Sequence, residues 1–378
     1  MTERKAGYFL YHSIGQYPGK EAELSDAMAE LASVWSAPDD QQWSYMLGKR
    51  AEFIDLWRQL IGAMEGSVTT CENVTQGVHM LTTSLPADLL RGRKVLVAAD
   101  CFPSNHFLLS RLRERFDFEL KTVHPRQGAH WVADEDMIAE WDRDVALALI
   151  SWVSSTTSHK VDLDALVSHG RAMGSLIGVD ITQAAGLLPF SVFDPEIDFA
   201  VSTSLKWMCG APGAGMLYVR PDLIGDCRPE LRGWFSQDNP FNWDIGAFDY
   251  APDIRRFDNG TPAILPAAAT VPALKWHAGT DRASLLHHNR LLCDILIDGV
   301  DALGVGLLSP REREDRGGSL MLDLASAEAA SKTLADLNGA GYSADTRGAS
   351  LRLSPGIQTT EDATRVLLDV FAWALNRA

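Results

Sequence analysis

Between Val68 and Arg220 the chain switches repeatedly between two periods, and this alternation most restricts how it can fold. Short apolar runs occur at Val95–Ala99, Val145–Val153, Leu176–Val179, Phe199–Val201 and Met216–Val219, each closed by a polar or glycine-containing turn. Helical spacing fills several of the gaps, as in Asn105–Arg115 and Leu163–Met173. Strands alternating with helices predict an α/β domain around a mostly parallel sheet. Upstream, Glu21–Trp35 and Arg50–Met64 carry apolar residues three and four apart and read as helices.

Near residue 260 the pattern changes. NGTPAILPAAATVPALKWHAG has three prolines, which predict a helix that is broken or starts late. Beyond it the periods predict a helix over Arg282–Asp301, a strand over Ser319–Leu324, a helix over Ala327–Asn338, a strand over Ser350–Leu353 and a last helix over Thr360–Asn376. The expected division is an N-terminal segment (1–20) joining a small domain, a large domain (21–260) and a small α+β domain (261–378). A length of 378 residues fits two such units.

Composition narrows the partners. Lys plus Arg number 34 and Asp plus Glu 50, for a net charge of −16, and no basic cluster offsets it, which argues against nucleic acid. Cys71, Cys101, Cys209, Cys227 and Cys293 are dispersed, with no C-x-x-C pair, which predicts reduced thiols and a cytoplasmic protein. The opening MTERKAGYFLYHS is too polar for a signal sequence, and no window has the apolar length of a membrane span. No His, Cys or carboxylate spacing matches a metal site. His12, His79 and His106 read as structural or surface residues, and His287-His288 as a solvated pair.

The chemistry concentrates between Ser175 and Arg220. One strand ends at Asp180 and a later one runs to Lys206, followed by CGAPGAG. Ligands of α/β sheets bind beyond the carboxyl ends of the strands. Taken singly, Asp180 is a strand-end cap and Lys206 an amphipathic lysine. Together they suggest a carboxylate for a pyridinium nitrogen and a desolvated amine able to form a Schiff base.

The run VDITQAAG…DFAVSTSLKWMCGAPGAGMLYV resembles the core of the class V aminotransferases, fold-type I enzymes dependent on pyridoxal 5′-phosphate (PLP). HSIGQYP, NVTQGVHML, CFPSNHF, RGWFS and RRFDNGTP resemble segments of kynureninases in particular, and the likeness runs from about residue 10 to 373. The resemblance implies a homodimer acting on an amino acid. In it Lys206 carries the cofactor, Asp180 pairs with the ring nitrogen and Phe102 stacks on the ring. Val74, Thr75 and Thr203 would contact the phosphate, with Trp234 and Thr261 reaching it from the neighbouring subunit. Ser13 and Arg352 would bind substrate, Arg352 by a bidentate grip on its carboxylate.

Three positions depart from kynureninase. Gln183 stands for its His, Leu205 for the Tyr before the lysine, and Asn105 for an Asp. The Asp-x-x-Gln pattern is similar to cysteine desulfurases and isopenicillin N epimerase-like proteins, where Gln183 would meet the cofactor's phenolic oxygen. A desulfurase's reactive Cys is missing from 300–352. Three readings follow: a kynureninase-like lyase cleaving a C–C or C–S bond of the substrate's side chain, a class V aminotransferase or epimerase, and a non-catalytic PLP-binding protein.

Overall fold

A computed structural model describes residues 7–375 of the protein. The first six residues of the expected N-terminal segment and Asn376 of the expected last helix lie outside the described residues. A seven-stranded sheet forms the centre, in the spatial order Val68–Cys71, Gly215–Val219, Phe199–Thr203, Leu176–Asp180, Val145–Ser151, Lys94–Ala98, Glu119–Val123. Only Gly215–Val219 runs against its neighbours; the strands from Phe199–Thr203 to Glu119–Val123 pair in parallel. The central strands Val145–Ser151 and Phe199–Thr203 are almost wholly buried, which is why they read as uninterrupted apolar runs. Edge strand Glu119–Val123 alternates polar residues and gave no such signal.

Helices cover both faces and make two large apolar clusters, one on each side of the sheet. Gly178 permits the tightest sheet contact: a Cβ there would fall 1.9 Å from the Phe199 ring. The order of strands reverses direction between Lys94–Ala98 and Val145–Ser151, and such a switch point opens a crevice at the carboxyl ends of the strands.

The second helix covers Gln42–Leu60, not Arg50–Met64. Its buried stripe is Met46, Arg50, Phe53, Trp57 and Leu60, so a charged residue occupies an inward position and hides the early part of the period. Arg50 is stabilised there by Asp258, 2.6 Å away. Gly62, with φ +68°, sits just past the helix end. The proline-rich stretch starts its helix late, after Pro262, but is not broken. It forms one continuous helix, Ile264–Ala278, through Pro272. Ala267, Val271, Ala273 and Leu274 of this helix join the core beside Phe53 and Trp57, so it packs with the large sheet and the composition change near 260 does not mark the divide.

A four-stranded antiparallel sheet follows, ordered Asp345–Arg347, Ser350–Leu353, Leu320–Asp323, Gly306–Leu307. Helices Arg282–Ala302, Ala327–Gly339 and Glu361–Leu375 pack on it. The two outer strands are too short to show a period. At the other end of the sequence, Gly7–Tyr8 pairs with Tyr342–Ser343, and Leu10 bridges to Ser354. From there the backbone crosses to the large sheet. The Gly15 N–H donates to the Leu205 carbonyl at 2.9 Å, and a Cβ on Gly15 would lie 1.9 Å from the Lys206 carbonyl oxygen. Only a glycine lets this segment lie against the lysine's turn.

Candidate active site

A cavity of about 680 Å³ opens at the carboxyl ends of the parallel strands. Val74, Thr75, Phe102, Asp180, Gln183, Thr203 and Lys206, singled out from sequence far apart, all line it. Strand geometry explains the convergence. Asp180 is the last residue of its strand, Thr203 ends the next one, and Lys206 follows three residues later. Phe102 lies in the loop after Lys94–Ala98, immediately before helix Pro103–Phe116.

Lys206 Nζ lies 5.3 Å from the centroid of Phe102 and has no hydrogen bond or ion pair within the described residues. Burial pushes its amine down from the ordinary 10.5 to about 8; the Asp180 charge opposes this, while Arg352 and Arg347 reinforce it. Asp180 is buried and fixed by neutral donors: the Asn105 amide at 3.2 Å and the Thr182 N–H at 3.0 Å. Neutral donors hold the carboxylate without consuming its charge.

Helix Val74–Thr82 starts at the cavity. The Asn73 side chain accepts from the Gln76 N–H at 2.9 Å, leaving the N–H groups of Val74 and Thr75 without partners inside the helix. Such an end, with its positive dipole, suits a phosphate. Ser151 Oγ, Ser155 Oγ and Thr182 Oγ1 also line the cavity, and these buried atoms have no hydrogen-bond partner. Unpaired buried hydroxyls cost stability unless a ligand engages them. An amine, a fixed carboxylate, an aromatic face, a helix end and spare hydroxyls together fit PLP.

Other expected positions fall elsewhere. Ser13 and Arg352 do not line the cavity. Arg352, from the small sheet, is nearly buried, and its fork is already taken: Nε donates to Asp345 Oδ1 at 2.7 Å and Nη2 to Oδ2, while Nη1 lies 3.5 Å from the Ser155 carbonyl. The guanidinium is thus not an empty fork: only Nη1 is left without a carboxylate partner. Gln183 donates to the His12 carbonyl at 3.2 Å, so only part of its amide faces the cavity. Trp234 and Thr261 do not line this cavity. Thr261 lines a second cavity of about 420 Å³ that shares Gln76 with the first. Trp234 packs among Trp43, Phe235, Phe241 and Trp243.

The histidines divide. His12 is buried, with Nε2 3.0 Å from Asp345 and Nδ1 2.6 Å from Ser354 Oγ. His106 meets Thr122, and His288 is tied to the Thr359 carbonyl at 2.9 Å instead of being solvated. His79 lines the cavity, a place the sequence reading did not give it. It lies one helical turn beyond Thr75, a spacing that could have flagged it. Asp345 gave no such signal. Its partner Arg352 lies across a two-residue turn, where no period can be read.

The described residues contain no cluster suited to a metal and no helix long and apolar enough to cross a membrane; all five cysteines are unbridged and buried.

The Aminotransferase class-V family matches residues 51–340. The kynureninase of Monosiga brevicollis is 31% identical over 251 residues, which is 61% of this chain and about half (54%) of that relative's length. Among solved structures, the cysteine desulfurase of Thermococcus onnurineus NA1 superposes with a TM-score of 0.86 at 17% identity, covering 98% of this chain and 95% of the other. A C-DES variant carrying glycine covalently linked to its PLP cofactor gives 0.85 at 18% identity, with 97% and 96% covered. The chain thus belongs to the class V aminotransferase family, PLP-dependent enzymes of fold-type I.

Proposed function

We propose that this PLP-dependent enzyme is a lyase that cleaves a C–C or C–S bond in the side chain of an amino acid, working as a homodimer with shared sites. The observation that carries the reading is Lys206: a half-buried, unpaired amine with its pKa near 8, set over Phe102 in the cavity that Asp180 also lines, the carboxylate held by neutral donors. PLP, when bound, supplies an electron sink for charge developing at the substrate's α-carbon. Lys206 holds the cofactor and then takes up and returns the α-proton, a task suited to an amine that titrates near physiological pH. Asp180 keeps the ring nitrogen protonated. The N–H groups of Val74 and Thr75, with the Thr75 and Thr203 hydroxyls, bind the phosphate, and the free end of Arg352 orients the substrate carboxylate.

The kynureninase relative supports cleavage. Gln183 and Leu205 favour the second reading, an aminotransferase or epimerase, because a tyrosine general acid beside Lys206 is missing. Shared sites are supported by Trp234 and Thr261 lying outside the Lys206 cavity of their own subunit. Around them Leu231, Phe241, Trp243 and Ile245 leave an exposed apolar patch suited to a second copy.

The test is a product screen on purified holoprotein. Release of a side-chain fragment with the α-amino acid retained supports the lyase. Formation of an oxo acid with conversion of the cofactor to its amine form, or racemisation alone, supports the alternative. Absence of a borohydride-sensitive visible band would overturn both.

A further inference from the structure

Beside the expected carboxylate clamp the small sheet carries a second arginine. In the register of the edge strand Asp345–Arg347 and its neighbour Ser350–Leu353, Asp345 stands opposite Arg352, so both side chains leave the same face. Arg347 is two residues beyond Asp345 on the edge strand and shares that face. The face looks toward the cavity: Arg352 Nη1 approaches the carbonyl of Ser155, and Asp345 bonds His12, whose carbonyl accepts from Gln183. Ser155 and Gln183 both line the cavity.

The two arginines differ in what they already hold. Arg352 is nearly buried and bound by Asp345 through two nitrogens. Arg347 is exposed and, among the described residues, has neither a hydrogen bond nor an ion pair. Its charge reaches the catalytic amine, since it helps hold Lys206 low, and it also bears on Arg352. One carboxylate, Asp345, thus stands beside two guanidiniums, leaving a surplus positive charge on the sheet face that looks toward the cavity, whose own lining is apolar or uncharged apart from His79 and the Asp180–Lys206 pair.

We propose that Arg347 is a specificity-determining residue that receives a second carboxylate on the substrate's side chain, so that the enzyme prefers dicarboxylic amino acids to neutral ones. This rests on the amino-acid-processing function proposed above and adds the substrate class. The α-carboxylate goes to the free end of Arg352. The distal carboxylate meets Arg347, whose planar fork is open for a bidentate pair.

The experiment titrates the PLP-loaded enzyme with aspartate, glutamate, alanine and norvaline and follows the cofactor's visible band. The readout is the ratio of affinities, dicarboxylic over neutral, in wild type and in Arg347→Gln. Any general effect of the lost charge on Lys206 acts on all four amino acids and cancels in the ratio. The ratio should fall about tenfold, as expected for loss of a charge-assisted contact, with Arg347→Lys intermediate. An unmoved ratio in Arg347→Gln overturns the proposal. Calorimetry with glutarate and butyrate repeats the comparison without using the Schiff base. Glutarate binding no tighter than butyrate, and insensitive to Arg347→Gln, overturns it also. A protein that takes up no PLP at all is a different result, which defeats the proposed function instead.

Discussion

Two aspartates, one lining the cavity and one on the small sheet beside it, have opposite surroundings. Asp180, on the large sheet, is held by an amide and a backbone N–H and has no ion-pair partner among the described residues. Asp345, on the small sheet, is satisfied inside the protein by Arg352 and His12. Its carboxyl sits below the ordinary range: burial works to raise it, but the hydrogen bonds from His12 and Arg352 prevail. The first region therefore gives up fold stability to groups that wait for a cofactor. The second is self-contained and positions one arginine. Unpaired polar groups beside a closed ion network are what a ligand-dependent site next to a positioning element should look like.

The largest expected effect tests the first region. Lys206→Ala should lower turnover at least about 10³-fold and remove the borohydride-trappable chromophore. Its pH behaviour is equally specific. In cofactor-free wild type, trapping of added PLP should rise with pH to a midpoint near 8, where Lys206 loses its proton. A midpoint near the ordinary 10.5 would show that burial does not activate this amine. Next in size, Asn105→Leu removes the amide that donates to Asp180 at 3.2 Å. With one of its two donors gone the carboxylate is less well held, so kcat should fall about 10- to 100-fold with the Lys206 band retained. Unaltered kcat would mean Asp180 does not depend on this donor.

The second region is probed by Asp345→Asn. Two charge-assisted bonds become weaker, and the partial exposure of Asp345 limits the cost to about 1–2 kcal/mol of stability at neutral pH. Because the folded carboxyl is depressed, wild type has this contribution above the pKa of an unfolded aspartate and loses it as pH falls through the folded value. Denaturant midpoints of wild type and variant should thus differ at about pH 7 and converge in acid. A gap that widens in acid would reverse the assignment of Asp345 as the charged partner.

The same contrast explains what the sequence disclosed. That Asp180, Lys206, Phe102 and the start of helix Val74–Thr82 share one cavity was legible because strand ends and helix starts fix where backbone and first side chains point. Helix Leu163–Met173 matches its apolar period residue for residue, since one face packs on the sheet. Asp345 and Arg347 escaped notice because three-residue strands have no period. The start of Gln42–Leu60 was masked by Arg50, whose inward charge is stabilised by Asp258, 208 residues away. Pro272 suggested a break that does not occur, because tertiary packing on Phe53 and Trp57 outweighs one lost backbone bond.

The smallest expected effect separates the regions most cleanly. Thr182 Oγ1 is buried beside Asp180 and unpaired. Ser354 Oγ is buried on the small sheet and bonded to both His12 and Ser319. Thr182→Val removes an unsatisfied hydroxyl from the cofactor-free fold, so apo stability should hold or rise by up to about 1 kcal/mol, while PLP affinity falls several-fold. Ser354→Ala should do the reverse, costing about 1 kcal/mol in the apo protein with PLP affinity kept. Thermal melts with and without PLP give both numbers. If both variants lose apo stability alike, the cavity hydroxyls serve the fold and not the ligand, and the contrast between the two regions fails.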